Sequence, residues 1–212
     1  MAPIKTCVIG VGLGGLTFHI PFVLALPHLF TLHAVLERNP ATPGGKLQAR
    51  FGEEAAKGVT IHRTYDAVLA DPEIELVVIS TPSETHYELA KKALEAGKHG
   101  TPSVLSLSSY QGLTSYSVLV DKPVTAHFSQ AQELGALAKS KKLVLYPFQN
   151  RRWDSDFLTL KKLLDLPADH PQSLGTLYEF ESRYVHTVSK SASLHRADGM
   201  QGIYVNIPHR QV

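Results

Sequence analysis

Residues 6–36 contain no Lys, Arg, Asp or Glu, and the same stretch holds Gly10, Gly12, Gly14 and Gly15. An uncharged run of that length has few destinations: a membrane span, a signal segment, or a buried strand, turn and helix. A spanning helix would have to bury His19, Pro21, Pro27, His28 and His33, and the glycines weaken it further. The better reading is a short apolar strand over residues 4–9, a glycine turn, a buried helix over 16–26 stopped near Pro27, and a second strand over 32–36.

The same kind of unit continues along the chain. Leu47, Phe51 and Ala55 fall at i, i+4 and i+8, one face of a helix. Residues 59–62 predict a short strand, 65–69 a helical turn, and 74–79 a strongly apolar strand. Ser83 is placed to cap the next helix, where Leu89, Ala90, Ala93 and Leu94 form the buried stripe and Gly97 ends it. Residues 118–120 predict a strand, 128–139 a helix and 143–146 another strand. Strands apolar on both faces, alternating with helices, specify a parallel sheet covered on two sides, and right-handed crossovers make it a doubly wound α/β fold. That accounts for a first domain over residues 1–148. Beyond it, residues 154–166 predict an amphipathic helix stopped by Pro167. Residues 174–184 alternate, with Tyr178, Phe180 and Tyr184 on one side and Glu179, Glu181 and Arg183 on the other, as in a half-buried antiparallel strand. No fixed-period repeat is present.

Composition removes several function classes. The chain has 212 residues, 43% hydrophobic and 19% charged, with a net charge of +2. That is the make-up of a soluble globular protein, without the basic stripe that grips nucleic acid. One cysteine, Cys7, excludes an internal disulfide or a multi-cysteine zinc site and fits a reducing, cytoplasmic setting. The histidines show no paired spacing on one helix face, so no metal site is expected.

Gly10-x-Gly12-x-x-Gly15 falls between the first strand and the first helix, where a dinucleotide fingerprint belongs. Gly10 permits the tight turn, Gly12 lets a pyrophosphate approach the backbone, and Gly15 lets the helix pack closely. The other reading is a glycine turn without a ligand. Glu37 ends the second strand, 22 residues after Gly15. A carboxylate there accepts hydrogen bonds from ribose hydroxyls and favours NAD. Arg38, Lys46 and Arg50 nearby are the cations that would hold the 2′-phosphate of NADP. Ligands bind outside the carboxyl ends of parallel strands, so the loop from Ser80 through Thr81, Pro82, Ser83, Glu84 and Thr85 to His86 is expected to face the cofactor. The next strand ends in Asp121-Lys122-Pro123. A lysine there can polarise or deprotonate a substrate hydroxyl beside a nicotinamide.

With these motifs in order, the chain resembles the Gfo/Idh/MocA family, which includes glucose–fructose oxidoreductase and inositol dehydrogenase. The matches are VIGVGLGG at the first turn, VVISTPSETHYELAKKALEAGKH in the middle, VLVDKPVT against the family's E-K-P signature, and YPFQNRRWDSDF after the last strand. The resemblance spans about residues 4–184. It implies a Rossmann-type domain followed by an α/β substrate domain with an antiparallel sheet. The implied reaction is NAD- or NADP-dependent oxidoreduction of a sugar, cyclitol or related polyol. By that resemblance Lys122 is the catalytic lysine, Asp121 stands in for the usual Glu, and the Lys122–Pro123 peptide is cis. Cofactor contacts are implied for Gly10, Gly12, Leu13, Gly14 and Gly15, for Glu37 and Arg38, and for Ser80, Thr81, Pro82 and His86. They are implied also for Asp121, Lys122 and Pro123. In similar proteins the segment of Gln149, Asn150, Arg151, Arg152 and Trp153 approaches nicotinamide and substrate, which adds Asn150 and Arg151; a helix lead-in with a solvated Arg pair is the alternative. His86 is expected to support its loop. The expected partner is a small-molecule substrate, with neither nucleic acid nor membrane.

Two departures qualify the resemblance. Residues 100–117 form an 18-residue uncharged stretch, and removing it joins GKH to VLVDKP. Helix-to-strand connections usually take 2–6 residues. Either a genuine loop or an intron translated in frame accounts for it, and Ser-Val-Leu at 103–105 repeats at 117–119. After Tyr184 the family's G-x-x-x-D-x-x-x-H helix is not recognisable, and His186, His195 and His209 lack its context. The expectation is an incomplete second domain over residues 149–212, which argues against the homo-oligomers the family allows. The alternative function is a truncated, catalytically incompetent dinucleotide-binding chain.

Overall fold

Six strands, all parallel, form one sheet in the order β3-β2-β1-β4-β5-β6 in a computed structural model that describes residues 2–97, 117–176 and 178. The strands are β1 (Ile4–Ile9), β2 (Phe30–Leu36), β3 (Thr60–His62), β4 (Leu76–Ile79), β5 (Ser117–Asp121) and β6 (Leu145–Phe148). The helices are α1 (Ile20–Ala25), α2 (Gly45–Phe51), α3 (Glu53–Ala56), α4 (Tyr65–Ala70), α5 (His86–Ala96), α6 (Phe128–Ser140) and α7 (Ser155–Leu164). The chain steps outward from β1 to β3, then returns to pair β4 on the other side of β1. This is the doubly wound arrangement that the alternating pattern specifies, with its switch point between β1 and β4.

Both faces of the sheet are buried, which is why its strands are apolar without alternation. Cys7 and Ile9 of β1, Val77 and Ile79 of β4, and Val118 and Val120 of β5 meet Ala90, Ala93 and Leu94 of α5 and Leu134 and Ala138 of α6. On the opposite face Val8 and Val78 meet Ile20 and Val23 of α1 and Leu47 of α2. Each fully buried aliphatic side chain of this kind contributes roughly 1.5–3 kcal/mol relative to exposure. In β2 the register slips: Thr6 pairs with Leu32 but Cys7 with Ala34, leaving His33 as the extra residue of a bulge. The bulge explains why Leu32 and Val35 share one face while Ala34 takes the other.

Several elements depart from their expected bounds for local reasons. The helix expected over 16–26 opens as a π-helical turn, Gly15–His19, closed by the Ile20 N–H donating to the Gly15 carbonyl. The single helix face of Leu47, Phe51 and Ala55 is broken at Gly52, whose φ of 89° separates α2 from α3. Ser83 does not cap α5: it opens a 3-10 turn, Ser83–Thr85, and α5 follows from His86 without a side-chain cap. Lys142, at φ 57°, and the Leu143 N–H bonded to the Ala138 carbonyl at 2.9 Å extend the close of α6, so β6 begins two residues later than expected. Ser117, expected in the uncharged insertion, pairs with Leu76 as the first residue of β5. The rest of that stretch, residues 100–116, lies outside the described residues.

The chain divides after Gln149 into two units. The described part of the second comprises a 3-10 turn, Asn150–Trp153, then α7 and a looped segment held by the His170 N–H on the Pro167 carbonyl at 3.0 Å. Leu174 and Gly175 belong to that loop and not to a strand, and Tyr178 is exposed. The remainder of the strand expected over 174–184 and the tail to residue 212 lie outside the described residues.

Candidate functional site

Parallel strands bring their carboxyl ends to one edge, and the motif residues gather there. Gly10 leaves β1 at φ 100°, and a side chain on it would collide with the Ser80 carbonyl at the end of β4. A side chain on Gly15 would collide with the Gly10 carbonyl, so the turn closes tightly on itself. Gly12 is the opposite case: it is exposed, with nothing within 4 Å of where a side chain would begin. The turn therefore presents bare backbone to open space, the arrangement a pyrophosphate requires. Leu13, beside it, is 82% exposed.

Glu37 follows β2 and is buried, its Oε2 accepting the Lys46 backbone N–H at 2.9 Å. Gly45, at φ 55°, makes that approach possible, because a side chain there would strike the Glu37 carboxylate. Arg38, Lys46 and Arg50 are exposed.

The loop after β4 is tied from several sides. The Ser80 N–H donates to the Ile9 carbonyl at 2.9 Å, and Thr81 Oγ1 and Thr85 Oγ1 lie 2.7 Å apart. The Thr85 hydroxyl also lies 2.7 Å from the Pro82 carbonyl. His86 is buried, with Nδ1 2.7 Å from the Pro123 carbonyl and Nε2 2.8 Å from the Thr81 carbonyl. A neutral imidazole donates at one nitrogen only, so both bonds at once need the doubly protonated ring. Either way His86 bridges the β4 loop to the segment after β5, the supporting position expected of it.

At the end of β5, Asp121 Oδ1 accepts the Lys122 backbone N–H at 2.8 Å. Its Oδ2 lies 3.4 Å from both Ser80 Oγ and His19 Nε2. The Lys122 side chain is exposed, and among the described residues no hydrogen bond or ion pair engages its ammonium. The Lys122–Pro123 peptide is cis. His19 is the residue that sequence reasoning missed, since it was weighed as a metal ligand and set aside. It is 4% exposed, and its ring packs on Phe148 at 4.7 Å between centroids. Burial pulls its pKa below the ordinary imidazole value, and the neighbouring Asp121 opposes that shift without cancelling it. The one signal available in the sequence was a histidine inside an otherwise uncharged run, four residues after Gly15.

Asn150 and Arg151 lie in the second unit, in its opening 3-10 turn. There the Arg151 guanidinium pairs with Asp154 at 2.9 Å. Among the described residues no group of three or more His, Cys, Asp or Glu side chains could hold a metal ion. Among them, too, no helix is long and apolar enough to cross a membrane.

Comparison with known proteins bears on the fold. Residues 4–101 match the GFO_IDH_MocA model, an oxidoreductase family with an NAD-binding Rossmann fold. An uncharacterized oxidoreductase of Schizosaccharomyces pombe is 40% identical over 184 residues, which is 87% of this chain and 42% of that protein. The scyllo-inositol 2-dehydrogenase (NADP(+)) of Bacillus subtilis is 31% identical over 161 residues, 76% of this chain and 37% of that protein. Among solved structures, GenD2 from gentamicin A biosynthesis, in complex with NAD, superposes with a TM-score of 0.59 at 26% identity, over 78% of this chain and 40% of that one. The chain thus spans about two fifths of the length of the curated relatives it matches. Residues 4–101 are similar to the Gfo/Idh/MocA oxidoreductase family, and the described strands have that family's NAD-binding Rossmann fold.

Proposed function

We propose that this chain binds NAD across the switch point of its sheet and serves hydride transfer between the nicotinamide and a carbinol carbon of a sugar, cyclitol or related polyol. The observation that carries the reading is the open backbone at Gly12, flanked by a buried carboxylate at Glu37 on one side and by Lys122 on the other. The relative that acts on scyllo-inositol supports the substrate class. The single, buried cysteine supports a reducing compartment such as the cytoplasm.

In this reading Glu37 accepts hydrogen bonds from the adenosine ribose, and the backbone of residues 12–14 receives the pyrophosphate. The loop of residues 80–86 borders the nicotinamide half. When bound, the nicotinamide supplies the hydride acceptor or donor. Lys122 exchanges a proton with the substrate oxygen. Its amine takes the hydroxyl proton as the carbinol is oxidised, and its ammonium returns one as a carbonyl is reduced. Asp121 holds the backbone from which that lysine projects.

The test is direct. The purified chain is titrated with NADH and NADPH by fluorescence, then assayed with NAD against aldoses and cyclitols including scyllo-inositol. NADH binding with turnover of at least one polyol is the expected result. Binding of neither dinucleotide overturns the cofactor assignment. Binding without turnover of any polyol overturns the reaction.

A further inference from the structure

We propose that His19 is a positioning residue: it clamps Asp121 and, through it, sets where Lys122 stands. The inference rests on the cofactor reading above. Segments far apart in sequence converge on the Asp121 carboxylate. Its Oδ1 is taken by the Lys122 backbone N–H at 2.8 Å, and its Oδ2 is held between Ser80 Oγ and His19 Nε2, each at 3.4 Å. A carboxylate tied at one oxygen alone can rotate. One met at both is restrained in its rotation, and with it the peptide from which the Lys122 side chain starts.

The chain is shaped to deliver His19 to this point. The π-helical turn Gly15–His19 adds a residue to the helical ladder, so His19 and the following Ile20 are both buried. Ile20 joins the apolar cluster beneath the sheet, whereas His19 stands at Asp121 with its ring on Phe148. Such π-turns recur at functional sites because they re-aim one side chain. Burial favours the neutral ring, which donates through Nε2–H without cancelling the Asp121 charge. Glu37 marks the adenosine end over β2, so the nicotinamide end of a dinucleotide crossing the switch point falls over β4 and β5, where this clamp lies.

The experiment uses the full chain and two probes, NADH and ADP-ribose, which differ by the nicotinamide half. His19→Leu keeps an apolar group against Phe148 and removes the donor, whereas His19→Gln keeps a donor N–H. The expected result is about tenfold weaker NADH binding for His19→Leu, unchanged ADP-ribose binding, and substantial recovery in His19→Gln. In an Asp121→Ala background, His19→Leu causes no further loss, because the contact is already gone. Retained ADP-ribose binding also shows that each variant folds.

Unchanged NADH binding in His19→Leu, equal weakening of both probes, or additive losses in the double variant overturn the proposal and leave the cofactor reading intact. A separate arm needs no ligand: in ring-15N-labelled protein, Asp121→Ala is expected to shift the His19 Nε2 resonance. No shift there overturns the clamp, whatever binds. Failure of the wild-type chain to bind either probe overturns the cofactor reading and the proposal with it.

Discussion

Glu37 at the end of β2 is locked by the backbone of Lys46, whose N–H meets its Oε2 at 2.9 Å. The carboxylate is buried, and in the proposed binding mode the 2′-phosphate of NADP would meet its negative charge. Arg38, Lys46 and Arg50 are exposed, so any charge they set against that repulsion is screened by solvent. The expected outcome is at least tenfold tighter binding of NADH than of NADPH. Glu37→Ser should weaken NADH about tenfold and bring NADPH level with it, since a hydrogen bond to a charged group contributes about 1.5–3 kcal/mol. Paired fluorescence titrations read this directly. A wild-type preference for NADPH would refute it.

The glycine turn makes a sharper prediction, because two of its glycines differ in what surrounds them. Gly10 combines φ 100° with a close approach to the Ser80 carbonyl, so Gly10→Ala should destabilise the fold by about 2 kcal/mol or more. Gly12 faces open space, so Gly12→Ala should leave thermal unfolding unchanged and weaken NADH at least tenfold by occupying the pyrophosphate's place. Thermal melts and NADH titrations on both variants separate the two roles. Equal effects on stability would contradict the division.

The difference between these glycines shows where a sequence is legible. The turn was readable because strand, glycines and helix adjoin in the chain, and the parallel, doubly wound character of the sheet followed from alternation and handedness. Glu37 was legible from its spacing, yet its lock onto Lys46 was not, since that depends on how α2 starts at Gly45. His19 was missed for the same reason. Its partners, Asp121 and Phe148, lie more than 100 residues away, and only the π-turn brings it to them. The break at Gly52 was missed because an i, i+4, i+8 pattern carries no information about the φ of the glycine within it. Ser83 as a cap failed because Pro82 leads into a 3-10 turn that takes up the start of α5.

Cys7 lies fully buried in the middle of β1. Burial pushes its thiol far up from the ordinary value, and the charge of Asp71 adds to the shift. Because the thiolate is the reacting species, the native chain should not react with a disulfide reagent at neutral pH. One thiol should then titrate once urea unfolds the sheet. Fast reaction without denaturant would show that β1 opens readily.

Asp71, just beyond α4, holds two imidazoles on one oxygen: His33 Nε2 at 3.1 Å and His62 Nε2 at 3.0 Å meet its Oδ2. Its Oδ1 accepts the Glu73 N–H at 2.9 Å. His33 is the extra residue of the β2 bulge and His62 ends β3, so this carboxylate fastens the outer strands to the connection leading into β4. Burial pushes the Asp71 carboxyl up, but the Glu73 N–H and the two histidines together outweigh it and hold its pKa below the ordinary carboxylate value. A pKa lowered by folding stabilises the protein above the unfolded value, about 3.9, and that contribution is lost as pH falls through the folded value. Asp71→Asn should therefore cost about 1–3 kcal/mol at pH 7, and the penalty should shrink as pH drops below about 4. Urea unfolding of both proteins at pH 7 and pH 3 measures it. A penalty of the same size at both pH values would mean that packing, and not the charge of Asp71, holds the outer strands.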